Sequence, residues 1–273
     1  MKLELQGPCI SCYHRFHMKP DTFDPREREH NLEILRGEIR NITAEIVDHP
    51  VLDAIEEGDM TQNQWREFAE QRYLASQHFE ALLEAGMAAA QEDGNDALYE
   101  ALASNLRDEQ GISTSGEPFS TGPHEKWRKD FYNALGIDDS NLESAEASQG
   151  TTEYDQTLQQ LIEEGDVDRI AGALLLLEYS IPEEFKRLKE GRDRTFPDEF
   201  VIADDDSEDV RKQKRLARLY IDHHIAHDAQ SHYPDLEKAV AHLLNQSKKK
   251  KKMSEGMQAI RAAKKGFYDS MQL

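Results

Sequence analysis

Apolar residues recur along most of this chain at the three- and four-residue spacing of amphipathic helices. Over residues 27–57 the stripe Leu32, Leu35, Ile39, Ile42 and Ile46 predicts a helix, interrupted near His49-Pro50 and ended at Gly58. Thr61 is placed to cap a second helix over about 62–90, whose core face carries Trp65, Phe68, Tyr73, Phe79, Leu82 and Leu83. After the Asp93-Gly94-Asn95 break, a third carries Leu98, Leu102 and Leu106 and ends near Glu109. A Gly/Ser/Thr/Pro-rich loop over 112–123 then leads to a helix start at His124, followed by Trp127, Phe131 and Leu135 and a stop at Gly136. Beyond a polar loop at 138–150, helices are expected near 152–164 and 167–189. The second of these holds the most apolar run of the chain, residues 171–177. An acidic linker at 204–209 precedes a helix through residues 220–235, and the five lysines 248–252 read as a solvated turn before a short last helix with Met257, Ile260, Phe267 and Met271.

The informative positions are the polar ones set into these stripes. Glu80 lies beside Phe79 and Leu83, either at the stripe's edge or facing inward with a need for a partner. Glu109 stands at a helix C-terminus, where its charge opposes the helix dipole unless a cation is near. Glu178 follows four leucines, so it is expected to be buried, and Pro182 removes the hydrogen bond to its carbonyl. A buried carboxylate needs protonation or a partner, and metal coordination is a common remedy.

Residues 220–235 hold His223, His224, His227 and His232, and on one helix face His224 and Asp228 can close on a single ion. The apolar positions before His224 (Leu216, Ala217, Tyr220, Ile221) share that face, whereas Leu236, Ala239, Val240 and Leu243 centre about 110° away on an uninterrupted helix. One extra residue realigns them. A π-bulge between Asp228 and His232 is the expected source, with a break at Pro234 as the alternative. Regular helix geometry does not choose between His227 and His232 as the partner of His224 and Asp228; the bulge favours His232.

Composition narrows the class. The 273 residues suffice for one core, expected over 28–273 behind an extension at 1–27, and no run of about 18 apolar residues is present. The expectation is a soluble all-α protein. A formal charge of −21 argues against nucleic acid and anionic membranes as partners. With only Cys9 and Cys12 and no signal peptide read, a reducing cytoplasm is the expected compartment. Cys9-x2-Cys12-x-His14-x2-His17 is cramped for a zinc finger and reads as a tail.

Glu80, Glu109, His124, Glu178, His224, Asp228 and His232 are all carboxylates or imidazoles. Such a set suits iron or manganese, and carboxylates able to bridge suit a pair of ions in a helical bundle. The ferritin-like signature, Glu-x2-His on each of two helices, is absent, since the motif occurs once, at Glu27-x2-His30.

Asp108-Glu109-x-Gly111, then His124 with Trp127 and Phe131-x3-Leu135-Gly136, then Glu178-x3-Pro182, then His224-x3-Asp228 resemble the haem-oxygenase-like di-iron oxidases over about residues 30–270. That family is similar in fold to the TenA and PqqC proteins. It includes the Chlamydia death-domain-associating protein, UndA fatty-acid decarboxylases, and amino-acid N-oxygenases and lyases. The resemblance implies a seven-helix bundle, two Fe(II) ions per chain, O2 as co-substrate, and ligands Glu109, His124, Glu178, His224 and Asp228. Glu80 falls where the N-oxygenase branch places a further carboxylate. The family's last motif reads His-x3-Asp-x2-His, whereas this chain has Ser231 in the final position and His232 one later. The tyrosine consumed by self-sacrificing aminobenzoate synthases falls near Leu52, and neither cysteine lies where a TenA-like nucleophile would. The expected function is an O2-activating non-haem di-iron oxidase acting on a small amine or amino-acid-derived substrate. A fatty-acid decarboxylase of the same fold, or a metal-free PqqC/TenA-like catalyst, is the alternative. The expected partner is a small molecule, with a homodimer left open.

Overall fold

The computed structural model describes residues 25–113, 116–117, 119, 121–227 and 230–271. Cys9, Cys12, His14, His17 and Asp228 therefore lie outside the described residues. The chain first runs through α1 (Pro25–Val47), α2 (Pro50–Glu57), α3 (Gln62–Ala75), α4 (Phe79–Glu92) and α5 (Asp96–Glu109). It continues through α6 (His124–Ala134), α7 (Asp139–Ser144), α8 (Gln149–Glu164), α9 (Val167–Thr195) and α10 (Pro197–Phe200). The last segments are α11 (Glu208–His227), α12 (His232–Val240), a 3-10 turn at Leu243–Asn245, and α13 (Ser247–Asp269). The fold is an all-α bundle.

Local chemistry sets most of these boundaries. Pro50 opens α2 behind His49, whose ring accepts a hydrogen bond from the Val51 N–H, and Gly58 closes it at φ 79°. Thr61 and Gln64 form a reciprocal capping box at the start of α3. The expected single helix over 62–90 is split: α3 stops at Ala75 and Ser76 donates back to the Tyr73 carbonyl at 2.9 Å. Phe79 then starts α4, so Glu80 sits in a first turn rather than mid-helix. Such breaks turn the expected seven helices into thirteen α-helical segments among the described residues.

α9 is the axis of the bundle. Its run Ile170, Ala171, Ala173, Leu174, Leu175 and Leu176 is fully buried, and α13, α2, α11, α1, α12 and α4 all pack against it. Two glycines bring α13 to backbone contact: a Cβ at Gly172 would lie 2.0 Å from the Met253 carbonyl oxygen, and one at Gly256 2.0 Å from that of Arg169. The lysine run corrects the expected turn, because residues 248–252 lie in the first turns of a 23-residue α13. Lysines there oppose the helix dipole, and two are answered by acids: Lys249 reaches Asp93 at 2.8 Å, and Lys252 pairs with Asp166, the N-cap of α9.

The break between α11 and α12 corrects the expected π-bulge. The Gln230 and Ser231 N–H groups both donate to the His227 carbonyl, at 3.0 and 2.9 Å, and Ser231 leaves the helical region at φ −128°, ψ −64°. α12 restarts at His232 with Pro234 in its first turn, where a missing N–H is harmless. The break performs the realignment assigned to a bulge: Tyr220 and Ile221 upstream, and Leu236, Ala239 and Val240 downstream, are all buried.

Candidate metal centre

Four helix ends and one helix middle converge here. Glu109 closes α5, His124 opens α6, His224 lies in the last turn of α11, and His232 opens α12. Glu178 projects from the middle of α9 and is 2 % exposed. The turn between α5 and α6 depends on Gly111, at φ 70°, where a Cβ would lie 2.6 Å from Pro123 Cα. Only glycine allows the loop to close that tightly and set His124 against Glu109.

Two rings divide the site into an inner and an outer half. The inward nitrogen of His124, Nδ1, is 3.0 Å from Glu109 Oε2, and that of His232, also Nδ1, is 3.4 Å from Glu178 Oε2. His224 Nε2 faces Glu109 Oε1 at 3.9 Å. The Nε2 atoms of the same His124 and His232 rings turn outward to Asp108 Oδ2, at 3.5 and 3.4 Å. His223 and His227 approach that same oxygen at 3.4 and 3.5 Å. Three groups could each hold one ion: Glu109, His124 and His224 on the inner side, and Asp108 with His124 and His223 or with His227 and His232 on the outer. His124, His224 and His232 are buried, whereas the His227 side chain is 40 % exposed.

Hydrogen bonds from surrounding groups fix the donors. The Tyr220 carbonyl can only accept, so the 2.7 Å contact places the His224 proton on Nδ1 and leaves Nε2 as a lone pair toward Glu109. Asn105 Nδ2 donates to Glu178 Oε1 at 2.6 Å and leaves Oε2 toward His232. Burial, with the His124 charge beside it, holds the His224 pKa down at about 3, so the ring is neutral. Burial works against ionisation of Glu109, yet the His124 charge 3.0 Å away wins and holds the pKa at about 2. Asp108 behaves alike: burial is outweighed by His223, His232 and His124, which keep its carboxyl well below the usual range. Without a metal the site thus presents ionised Glu109 and Asp108 and a neutral His224, and an ion binding there would take the place of the His124 proton that holds Glu109 ionised.

Of the residues expected from sequence, the structure brings Glu109, His124, Glu178, His224 and His232 together. Glu80 stands apart, exposed at the rim, where loss of solvent around its carboxyl and then the Glu109 charge raise its pKa. In the sequence Asp108 and His223 have no marked role, and His227 stands only as the alternative to His232. Adjacency was the available signal, because Asp108 and His223 each directly precede a named residue and a helix turns only about 100° between neighbours. Asn105, four residues before Glu109 on α5, carried no such mark.

A cavity of about 440 Å³ opens beside the inner half, lined by Glu80, Glu109, His124, Glu178 and His224 together with Arg72, Arg128, Glu184 and Lys264. Phe79, Leu158, Leu177, Ile181, Phe185 and Phe267 supply apolar walls. Glu184, 1 % exposed, accepts from both Lys264 and the Tyr268 hydroxyl, and Lys264 Nζ also donates to Ser180 Oγ at 2.9 Å. No described helix is long and apolar enough to cross a membrane.

The fold and site define a helical bundle with a buried histidine–carboxylate cluster beside a polar cavity. The chain belongs to the iron-containing redox enzyme family, whose model matches residues 66–265. Solved structures agree on the fold. A CADD-like protein of unknown function from Nostoc punctiforme superposes with a TM-score of 0.68 at 17 % identity, over 90 % of this chain and 100 % of that one. A TenA homolog from Pseudomonas syringae pv. tomato gives 0.65 at 12 % identity, over 86 % and 88 %. No curated protein matches.

Proposed function

We propose that this chain is an O2-activating non-haem di-iron oxidase or oxygenase acting on a small amine or amino-acid-derived substrate. The reading rests on one observation: in the inner half, largely buried imidazole and carboxylate donors from α5, α6, α9, α11 and α12 face one another within a few ångströms, with His224 and Glu178 oriented by hydrogen bonds to the Tyr220 carbonyl and from Asn105. Glu109, His124, Glu178, His224 and His232 would hold the ions, with Asp228, outside the described residues, completing the expected set. When bound, Fe(II) would supply electrons for the reduction of O2.

The protein's own groups perform the remaining work. Asn105 and the Tyr220 carbonyl orient two donors, and apolar side chains such as Leu177 and Phe185 limit water in the cavity. Glu80, at the rim with a raised pKa, is placed to accept a hydrogen bond from an amine or to take its proton. A cavity lined by Arg72, Arg128, Glu184 and Lys264 fits a polar substrate better than the long apolar channel of a fatty-acid decarboxylase. Anaerobic Fe(II) titration tests the proposal, with two equivalents expected per chain and O2 consumption accelerated by an amine or amino acid. Absence of iron binding above background would sink it, and a metal-free catalyst would then stand.

A further inference from the structure

We infer that Arg72 and Arg128 form an anion subsite that holds a carboxylate of the substrate; the link to oxidation rests on the proposed function, whereas the binding itself does not. Both guanidinium groups line the same cavity as Glu109, His124 and His224. Arg72 lies 4.6 Å over the Phe185 ring, and that ring is 5.2 Å from the His224 ring, which puts the arginine one aromatic residue away from the histidine cluster. Arg128 lies 5.0 Å over Tyr73. Arg128 donates to Ser76 Oγ, at the C-terminal end of the same α3 that carries Arg72, so the two cations stand on one side of the cavity.

Neither arginine is fully answered by the protein. The side-chain hydrogen bond of Arg72 goes to Glu184 at 3.5 Å, the outer limit for such a bond, and Glu184 is already engaged by Lys264 and Tyr268. Arg128 spends its terminal nitrogens on Ser76 and Glu125, and its Nε is buried without a hydrogen-bond partner. The other buried carboxylates of the cavity are committed, Glu109 to His124 and Glu178 to Asn105 and His232. Guanidinium groups with unmet donors in an enclosed site recruit an anion, and the planar fork matches a carboxylate in two-point contact. Glu80 and Glu125 at the same wall disfavour a dianion, so a carboxylate fits better than phosphate. The substrate class becomes a carboxylate-bearing molecule whose other end reaches the histidine–carboxylate cluster.

Calorimetry with the full-length Fe(II)-loaded protein under nitrogen tests this, using hexanoate, hexanamide and inorganic phosphate as probes. Hexanoate is expected to bind at least tenfold tighter than hexanamide. R128Q and R72Q should each weaken hexanoate roughly ten- to a hundredfold, the value of a charge-assisted bond, with hexanamide affinity, iron content and unfolding midpoint unchanged. R128K, which keeps the charge and loses the fork, should fall between. If R72Q lowers the midpoint through Glu184, the R128Q result decides. Equal affinity for acid and amide, wild-type hexanoate affinity in R128Q, tighter binding of phosphate, or no saturable binding of hexanoate at millimolar concentration each overturns the subsite. Iron content, measured on the same samples, reports on the di-iron proposal separately: hexanoate preference without iron would leave the subsite standing and remove the oxidase.

Discussion

Replacing Gly256 by alanine tests how closely this bundle is packed around α9. The added Cβ would lie 2.0 Å from the Arg169 carbonyl oxygen, 2.8 Å from its carbon and 3.1 Å from the Ala173 nitrogen. Bringing the first contact out to the 3.0 Å that real Cβ atoms respect requires an opening of 3.0 − 2.0 = 1.0 Å, against backbone that cannot rotate away. A gap of that size forfeits a quarter to a half of each van der Waals contact it opens, and Met253, Met257 and Ile260 are all buried along this seam. Overpacking of this kind reaches about 3 kcal/mol, and alanine returns about 1 kcal/mol of helix propensity, leaving a loss of roughly 2 kcal/mol. Gly37 is the control, because it lies within α1 with nothing within 4 Å of its missing Cβ. Alanine there should stabilise by up to about 1 kcal/mol. Urea unfolding of the two variants under one set of conditions should therefore shift the midpoints in opposite directions. A Gly256→Ala midpoint at or above wild type would refute the backbone contact.

Lys264→Met leaves Glu184 buried beside Tyr268 with Arg72 only at 3.5 Å, and should cost about 3–5 kcal/mol. Adding Glu184→Gln should recover much of it, and additive losses in a double-mutant cycle would contradict the pairing. Asn105→Leu removes the bond that orients Glu178 and should weaken metal binding roughly 10–100-fold in chelator competition, an unchanged affinity counting against the centre. His232→Ala should lose one iron per chain by elemental analysis and His227→Ala should keep both, the reverse pattern moving the centre outward. For the metal-free protein, His224 falls from 6.5 in the unfolded chain to about 3 when folded, and Glu109 from 4.5 to about 2. Both depressed values act in one direction. The unfolded chain takes up the proton first, so stability is full above about pH 6.5 and declines by up to about 1.4 kcal/mol per unit as pH falls, with Glu109 adding to the loss below about 4.5. A urea midpoint at about pH 5.5 equal to or above that at about pH 7.5 would contradict this.

Helix patterning carried most of the architecture because each core face is a continuous stripe: the run 171–177 and the Leu32–Ile46 positions are buried as expected. Boundaries were legible where one residue decides them, as Gly58 and Thr61 do. The split at 76–78 was not, since no Pro or Gly marks it and the break is made by hydrogen bonds that Ser76 and Gln77 return to Tyr73. The lysine run misled for a tertiary reason: Asp93 and Asp166, far away in sequence, supply the charges that let a helix begin there. Arg72, Arg128, Glu184 and Lys264 gave no local sign, because an ion pair spanning 80 residues has no spacing to read.

In the histidine cluster, His232 is turned inward by a local device other than the expected one. Turning His232 inward requires only that the apolar stripe be rotated by about one residue between Asp228 and Leu236. A π-bulge and a helix break both rotate it, and nothing in the pattern separates them. What separates them is the chain's polar bookkeeping: a bulge must carry Pro234 within a continuing helix, whereas a break places it in a first turn where no N–H is needed. The break also does something a bulge would not. It starts α12 at His232 itself, so the ring stands at a helix end between Glu178 and Asp108, with one nitrogen for each. His124 occupies the matching position at the start of α6, between Glu109 and Asp108. Two helix starts, each contributing one two-sided ring, are thus what joins the half-buried outer histidines to the buried inner carboxylates, and Asp108 is the carboxylate on which the outer set closes.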